Sequence, residues 1–372
     1  MFHNPIYFFC LVVLPIFVVA FFTSLMGDGA PTELPVGVVD QDNTSTSRGL
    51  TRTLDSFQSS RVVAQYPNMN EAREAIQRGE IYAFLLIPKG TTEGLMASRQ
   101  PKISFYYSGV VMLAGSTTFR DLKTVATLGS AAVGKTKLSA LGKTDREIVT
   151  FLQPISLDMH MIGNPWANYN VYLSTTMVPG LLMLFIFLLT PYSIGTELKF
   201  GRAHEWIKEA DGDMMVALCG KLLPQSLMYI SVFCGFEFYV YHVLGFPHPG
   251  GALPIILLGV LCVLSAQCFG VFCFGIMPSL RMSMSVCSLW AMLSFSLAGA
   301  TFPVAAMDPF IQGITWLFPL RHYFMIYQIN IFNGFALHYA WIHWVCLGGF
   351  LLLPAFVLRN IYRAMMVYKY IP

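Results

Sequence analysis

Charge is what this sequence has least of. Asp, Glu, Lys and Arg make up 12% of its 372 residues, about half the share that soluble domains carry, whereas 55% are hydrophobic. The net charge of +3 is too small to point to nucleic acid, whose partners carry a strongly basic surface. Cysteine is missing where it could build a framework. Only Cys10 precedes residue 200 and residues 27–167 hold none, so no disulfide scaffold exists there. Cys234, Cys262, Cys268, Cys273, Cys287 and Cys346 fall in apolar runs and read as buried free thiols; without nearby His or carboxylate ligands they make no metal site. No Ser/His/Asp cluster collects either. His160, His242, His248, His322, His338 and His343 are scattered singly, which leaves no catalytic residue, metal or bound cofactor to assign.

What is abundant is unbroken apolar sequence. Residues 172–192 are uncharged over the roughly twenty residues that a bilayer core requires. Comparable runs lie near 5–26, 216–242, 252–276, 284–300 and 336–357, which predicts a polytopic α-helical membrane protein with about six transmembrane helices. The first run lacks a basic n-region and is long for a signal peptide, so it reads as a retained anchor over residues 1–26. Met1-Phe2-His3-Asn4-Pro5 leads into it with no amphipathic lead-in; an internal start or a missing short cytoplasmic segment are both open readings.

Residues 27–167 cannot lie in a membrane: 14 of the 23 Lys and Arg are there. Basic residues favour the cytoplasmic side in short loops. The loop after the second run carries Lys199, Arg202 and Lys208, with Lys221 just beyond; Arg281 marks the loop near 277–283, and Arg359, Arg363 and Lys369 mark the tail. The opposite loops, 243–251 and 301–335, hold only Arg321. Loops 193–215 and 277–283 and the C-terminus are therefore expected inside, and residues 27–167 outside, since long domains cross largely regardless of charge. That block alternates strand-like segments (35–40, 61–66, 81–87, 103–107) with helix-like ones (47–57, 70–78, 91–99, 113–151), which predicts an α/β extracytoplasmic domain. Asn68 or Asn70 is a ready cap for the helix at 70–78.

Gly129-Ser-Ala-Ala-Val-Gly134-Lys135-Thr136 matches the phosphate-loop pattern letter for letter. A true phosphate loop joins a strand to a helix, but here the preceding residues read as helix and no strand ending in Asp follows. Small residues packing a helix against its neighbour explain the segment better.

Two features stand out in the apolar part. Glu237 is the one acid inside an apolar run, and an intramembrane charge is by default a functional hypothesis. It faces a pathway or a dimer interface, or it is an interfacial Glu satisfied by water or His242. Residues 301–325 hold Pro303, Asp308-Pro309, Gly313 and Pro319, too many breaks for a plain span; such backbone is tolerated at membrane depth only where protein or water covers it. Residues 203–210 fit a short helix with Trp206 and Ile207 on one side and Glu205, Lys208 and Glu209 on the other.

Several phrases in order resemble the ABC-2 type transporter permease family. They are Leu34–Asp40 followed by Gln41-Asp42-Asn43-Thr44-Ser45; Asn164-Pro165; Val178-Pro179-Gly180; the spaced Glu197, Gly201 and Glu205; Gly220-Lys221-Leu222-Leu223-Pro224; Gly299-Ala300-Thr301-Phe302-Pro303; and Leu317-Phe318-Pro319-Leu320. Arg202-Ala203-His204 and Ala210-Asp211-Gly212-Asp213 depart from the family pattern. The resemblance implies the membrane subunit of an ATP-driven exporter in the bacterial inner membrane, with residues 168–372 as a transmembrane bundle and 301–325 as an outer re-entrant helical pair. ATP and Mg would be held by a separate cytoplasmic ABC ATPase, which grips Glu197, Gly201, Arg202, Glu205, Trp206, Ile207 and Lys208 as a coupling loop. Pro179, Gly180 and Glu237 would face the pathway or an interface, and Phe302, Pro303, Pro319 and Arg321 the outer gate. A second permease copy, identical or a paired relative, a periplasmic adaptor and membrane lipid are the other implied partners. A receptor or scaffold whose external domain binds a ligand is the alternative; a membrane-embedded enzyme fits poorly, since no catalytic cluster is present.

Overall fold

A computed structural model describes residues 5–25, 27, 29–97, 99–154, 164 and 167–368. Pro165, His160 and Lys369, singled out above, lie outside the described residues. The chain divides into two units, one of residues 1–27 and 161–372 and the other of 28–160.

The first unit opens with α1, Pro5–Leu25. The second unit follows and is α/β: β1 Leu34–Asp40, α2 Ser45–Asp55, β2 Ser60–Gln65, α3 Met69–Gln77, β3 Ala83–Ile87, α4 Thr91–Met96, β4 Ser104–Tyr107, α5 Met112–Ala140 and α6 Asp145–Leu152. The sheet order is β2-β1-β3-β4, with β1 parallel to β2 and β3, and β4 antiparallel to β3. Strands covered on both faces read as continuous apolar runs, and β1 and β3 show why. Val36, Val38 and Leu85 pack with Leu54, Leu122 and Val125 on one face, and Val39 and Phe84 with Ala72 and Ala75 on the other. Asn68 supplies the α3 cap, accepting from the Glu71 N–H at 2.9 Å. The stretch expected over 113–151 is two helices, parted at Gly142 (φ +77°) and restarted by a Thr144–Glu147 capping box. The phosphate-loop lookalike lies wholly inside α5. A Cβ on Gly129 would stand 2.5 Å from a Leu50 methyl, and one on Gly134 would stand 2.6 Å from Leu152, so these glycines serve close packing.

The first unit continues with α7 Tyr169–Lys199, α8 Ala203–Glu209, α9 Met214–Val243, α10 Ala252–Ile276, α11 Leu280–Leu297, α12 Pro309–Thr315, α13 Pro319–Ile326 and α14 Leu337–Val367. Among the described residues six of its helices, namely α1, α7, α9, α10, α11 and α14, are long and apolar enough to cross a membrane, so the protein is a polytopic helical membrane protein. α7 and α10 are the most buried and form the centre; α1, α11 and α14 are the most peripheral. Three helices run further than the apolar runs indicate, because a helix extends past the hydrocarbon core into the polar zone; one is α11, which starts at Leu280 and takes in Arg281 of the expected loop 277–283. α7 continues beyond Tyr192 to Lys199, which puts Glu197 in its last turn, and α14 continues to Val367, which makes Arg359 and Arg363 helical. The expected loop 193–215 thereby shrinks to the segment between α7 and α9, with α8 inside it. Residues 301–325 form short pieces: a single 3-10 turn Val304–Ala306, then α12 and α13.

α7 carries Pro179 in its interior. A proline has no N–H to give to the carbonyl four residues back, and the Tyr323 hydroxyl of α13 donates to that orphaned Thr175 oxygen at 3.2 Å. At the start of α7, Asn170 donates to the Thr23 carbonyl of α1 at 3.2 Å, which ties the first span to the centre.

Candidate functional site

The segment between α7 and α9 is specified almost residue by residue. α7 ends in a Schellman stop: Gly201 takes φ +69°, its N–H reaches Leu198 O at 3.2 Å, and the Arg202 N–H reaches Glu197 O at 2.9 Å. α8 ends the same way, with Asp211 at φ +54°, its N–H on Lys208 O at 3.1 Å, and the Gly212 N–H on Ile207 O at 3.0 Å. Asp213 then caps α9, accepting from the Met215 N–H at 2.7 Å. Two stops and a cap leave little slack in the backbone.

α8 is pinned by its apolar face. Ala203 and Ile207 are buried with Ile194, Met214, Leu218, Phe274, Val357 and Ile361, and Trp206 packs on the edge of this cluster. His204, Glu205, Lys208 and Glu209 are exposed. Beside α8, Glu197 forms an ion pair with Lys221 of α9 whose two side chains are 14% and 17% exposed, and Arg202 Nε stands 3.9 Å from the other Glu197 oxygen. Lys221 Nζ lies 5.0 Å from the centre of the Trp206 ring, within cation–π range. A cleft of about 520 Å³ runs between α8 and α9, lined by Glu197, Arg202, Glu205, Trp206, Glu209 and Lys221. Three acids and two cations around one aromatic make a polar socket on a rigid ledge, and nothing in it is arranged for bond-making chemistry. Among the described residues no group of three His, Cys, Asp or Glu could hold a metal.

All seven residues expected in a coupling loop thus fall on one ledge, and the structure adds Lys221. Its position in the Gly220–Pro224 phrase was the available signal; its pairing with Glu197 was not readable. The other expected residues are elsewhere. Pro179 and Gly180 lie in the packed interior, where a Cβ on Gly180 would stand 2.5 Å from the Phe295 ring of α11. Phe302 and Pro303 are exposed, Pro319 opens α13, and Arg321 Nη1 donates to Ala298 O at 2.9 Å. Glu237 is buried near the end of α9. The histidines are not all single, as the sequence reading has them. His322 Nδ1 and His343 Nδ1 are 3.0 Å apart, both residues buried, and His322 Nε2 donates to Trp316 O at 2.9 Å. The pair joins α13 to α14 across 21 residues of sequence, a separation that no local pattern reports.

No curated protein matches the chain. A sequence model of a family described as ABC-2 family transporter protein matches residues 5–358. On that match, which covers both units and the whole ledge, the chain belongs to the ABC-2 transporter family.

Proposed function

We propose that this chain is the permease subunit of an ATP-driven exporter and that α8 receives force from a separate cytoplasmic ATPase. One observation carries the reading. A short charged helix, fixed by buried Ala203 and Ile207 and held between two helix stops, presents Glu205, Lys208 and Glu209 beside a socket with Trp206 at its edge. A partner pressing on such a ledge moves α7 and α9 with it, because neither end of α8 is free to yield.

The distribution of basic residues supports the side assignment. Lys199, Arg202, Lys208 and Lys221 cluster at the ledge and Arg281 stands at the start of α11; in the proposed topology these ends are inside and the α/β unit is on the extracytoplasmic face of a bacterial inner membrane. In this reading α12 and α13 form the outer re-entrant pair, with Phe302, Pro303, Pro319 and Arg321 about the exit. Two permease copies enclose the path, ATP and Mg reside on the ATPase, and a periplasmic adaptor docks on the α/β unit.

The test is co-purification with the stand-alone ATPase and stimulation of its hydrolysis by the reconstituted permease. Trp206→Ala and Glu205→Ala are each expected to reduce both by about tenfold, as loss of a central anchor at a protein interface does. Unchanged stimulation by both variants removes α8 from the coupling role.

A further inference from the structure

The far end of α9 departs from α-helical geometry. Tyr239–Val243 form a π turn directly after Glu237 and Phe238, a distortion that is frequent at functional sites. Between this turn and the start of α10 lies a cleft of about 240 Å³ with almost wholly apolar walls. Phe233, Phe238, Tyr241, His242 and Ile255 line it, together with Glu237. Phe238 stacks on His242 at 4.9 Å, and Tyr241 stands 4.8 Å from His248, so much of the lining is ring surface.

Glu237 is 7% exposed. Its Oε2 has no hydrogen-bond partner among the described residues, and no Lys or Arg lines the cleft. A carboxylate sunk among apolar groups without a counter-charge is costly and calls for a partner. Ring faces attract cations and do not favour anions. A bare metal ion is a poor match: Cys234, His242 and His248 line the cleft with Glu237, but among the described residues no three His, Cys, Asp or Glu are grouped so as to hold one. Resting on the transporter reading above, we propose that this cleft binds a lipophilic organic cation. An ammonium group would sit against the Glu237 carboxylate, and an apolar body would lie between Phe233, Phe238 and Ile255.

The test uses the full chain in lipid nanodiscs with no ATPase present, so it reads binding alone. Failure of α8 to couple would sink the transporter reading without changing this result, and absence of binding here would leave coupling by α8 standing. The probe is tritiated benzyltrimethylammonium; the competitor is neopentylbenzene, which has the same shape with carbon in place of the charged nitrogen. Saturable binding is expected, displaced by unlabelled cation and not by the neutral isostere. Glu237→Gln weakens it by about tenfold or more, the size of one charge-assisted contact. Ile256 lines the cleft but is 51% exposed, so Ile256→Trp fills the space without touching the carboxylate and abolishes binding. Absence of saturable binding, equal displacement by neopentylbenzene, or unchanged affinity in Ile256→Trp overturns the proposal, as does unchanged affinity in a folded Glu237→Gln protein.

Discussion

Glu197 sits at a point where two opposite demands meet. It must end α7 near the membrane surface, and its carboxylate must not be left alone there. Lys221 from α9 meets it, Arg202 stands behind, and the same Lys221 lies over Trp206. Removing one member of a buried pair strands the other charge, whereas removing both costs far less. Glu197→Gln or Lys221→Met alone is therefore expected to destabilise the ledge by roughly 3 kcal/mol, and the double variant to recover most of that loss. A double-mutant cycle of unfolding in detergent measures it; strictly additive losses would mean that the two residues do not act as a pair. The exposed charges of α8 are different in kind: Glu205 and Lys208 are expected to matter for a partner and little for stability. This division was only half legible in the sequence. The spacing of Trp206, Ile207, Glu205 and Lys208 shows the two faces of a short helix. The Glu197–Lys221 and His322–His343 pairs join residues 24 and 21 apart, and only packing brings them together.

At the scale of elements, ends matter more than middles. The N-cap position of α4 is Gly90, which has no side chain to cap the helix, and the cap comes from the turn after β1. Asp42 accepts from the Gly90 N–H at 2.8 Å, the Thr92 N–H at 3.1 Å and the Thr44 hydroxyl at 3.0 Å, and it binds the Thr92 hydroxyl as well. Slight burial pushes this carboxyl upward, but the bonds from Thr92, Thr44 and Gly90 outweigh it and hold Asp42 below its ordinary range. The folded value is the lower one, so the stabilisation is complete above the unfolded carboxylate pKa, about 4. It is lost as pH falls from there through the folded value. Asp42→Ala is expected to cost about 1 kcal/mol and to remove that acid-sensitive component. Hydrogen exchange at the Gly90 and Thr92 amides, corrected for intrinsic rates and followed from about pH 6 to pH 3, reads both effects. A variant whose protection falls with acid just as the parent's does would refute the link. The Gln41–Ser45 phrase was visible in the sequence as part of the family resemblance; its task of capping a helix some fifty residues on was not.

For the whole molecule, hydropathy was the most legible signal, because lipid acts on each residue without reference to its neighbours in space. All six apolar runs became helices, but their polar ends were underestimated at Glu197, Arg359 and Arg363, where the helix outlasts the apolar pattern. Sidedness is the remaining large-scale claim. In a Cys219→Ser background, which removes the one exposed native thiol among the described residues, an impermeant maleimide applied to intact cells is expected to tag Arg73→Cys and spare Lys208→Cys. The opposite labelling would place the ledge outside and end the export reading. Within the bundle, Pro179 interrupts the hydrogen-bond ladder of α7 about a third of the way along, and Pro191 interrupts it again nearer its end. The first joint is held by the Tyr323 hydroxyl, on loan from another helix, and releasing that clasp costs about one neutral hydrogen bond, ~1 kcal/mol, where unwinding an intact turn breaks several. The joint at Pro179 therefore lets the leading third of the central helix lean while the segment after it stays upright.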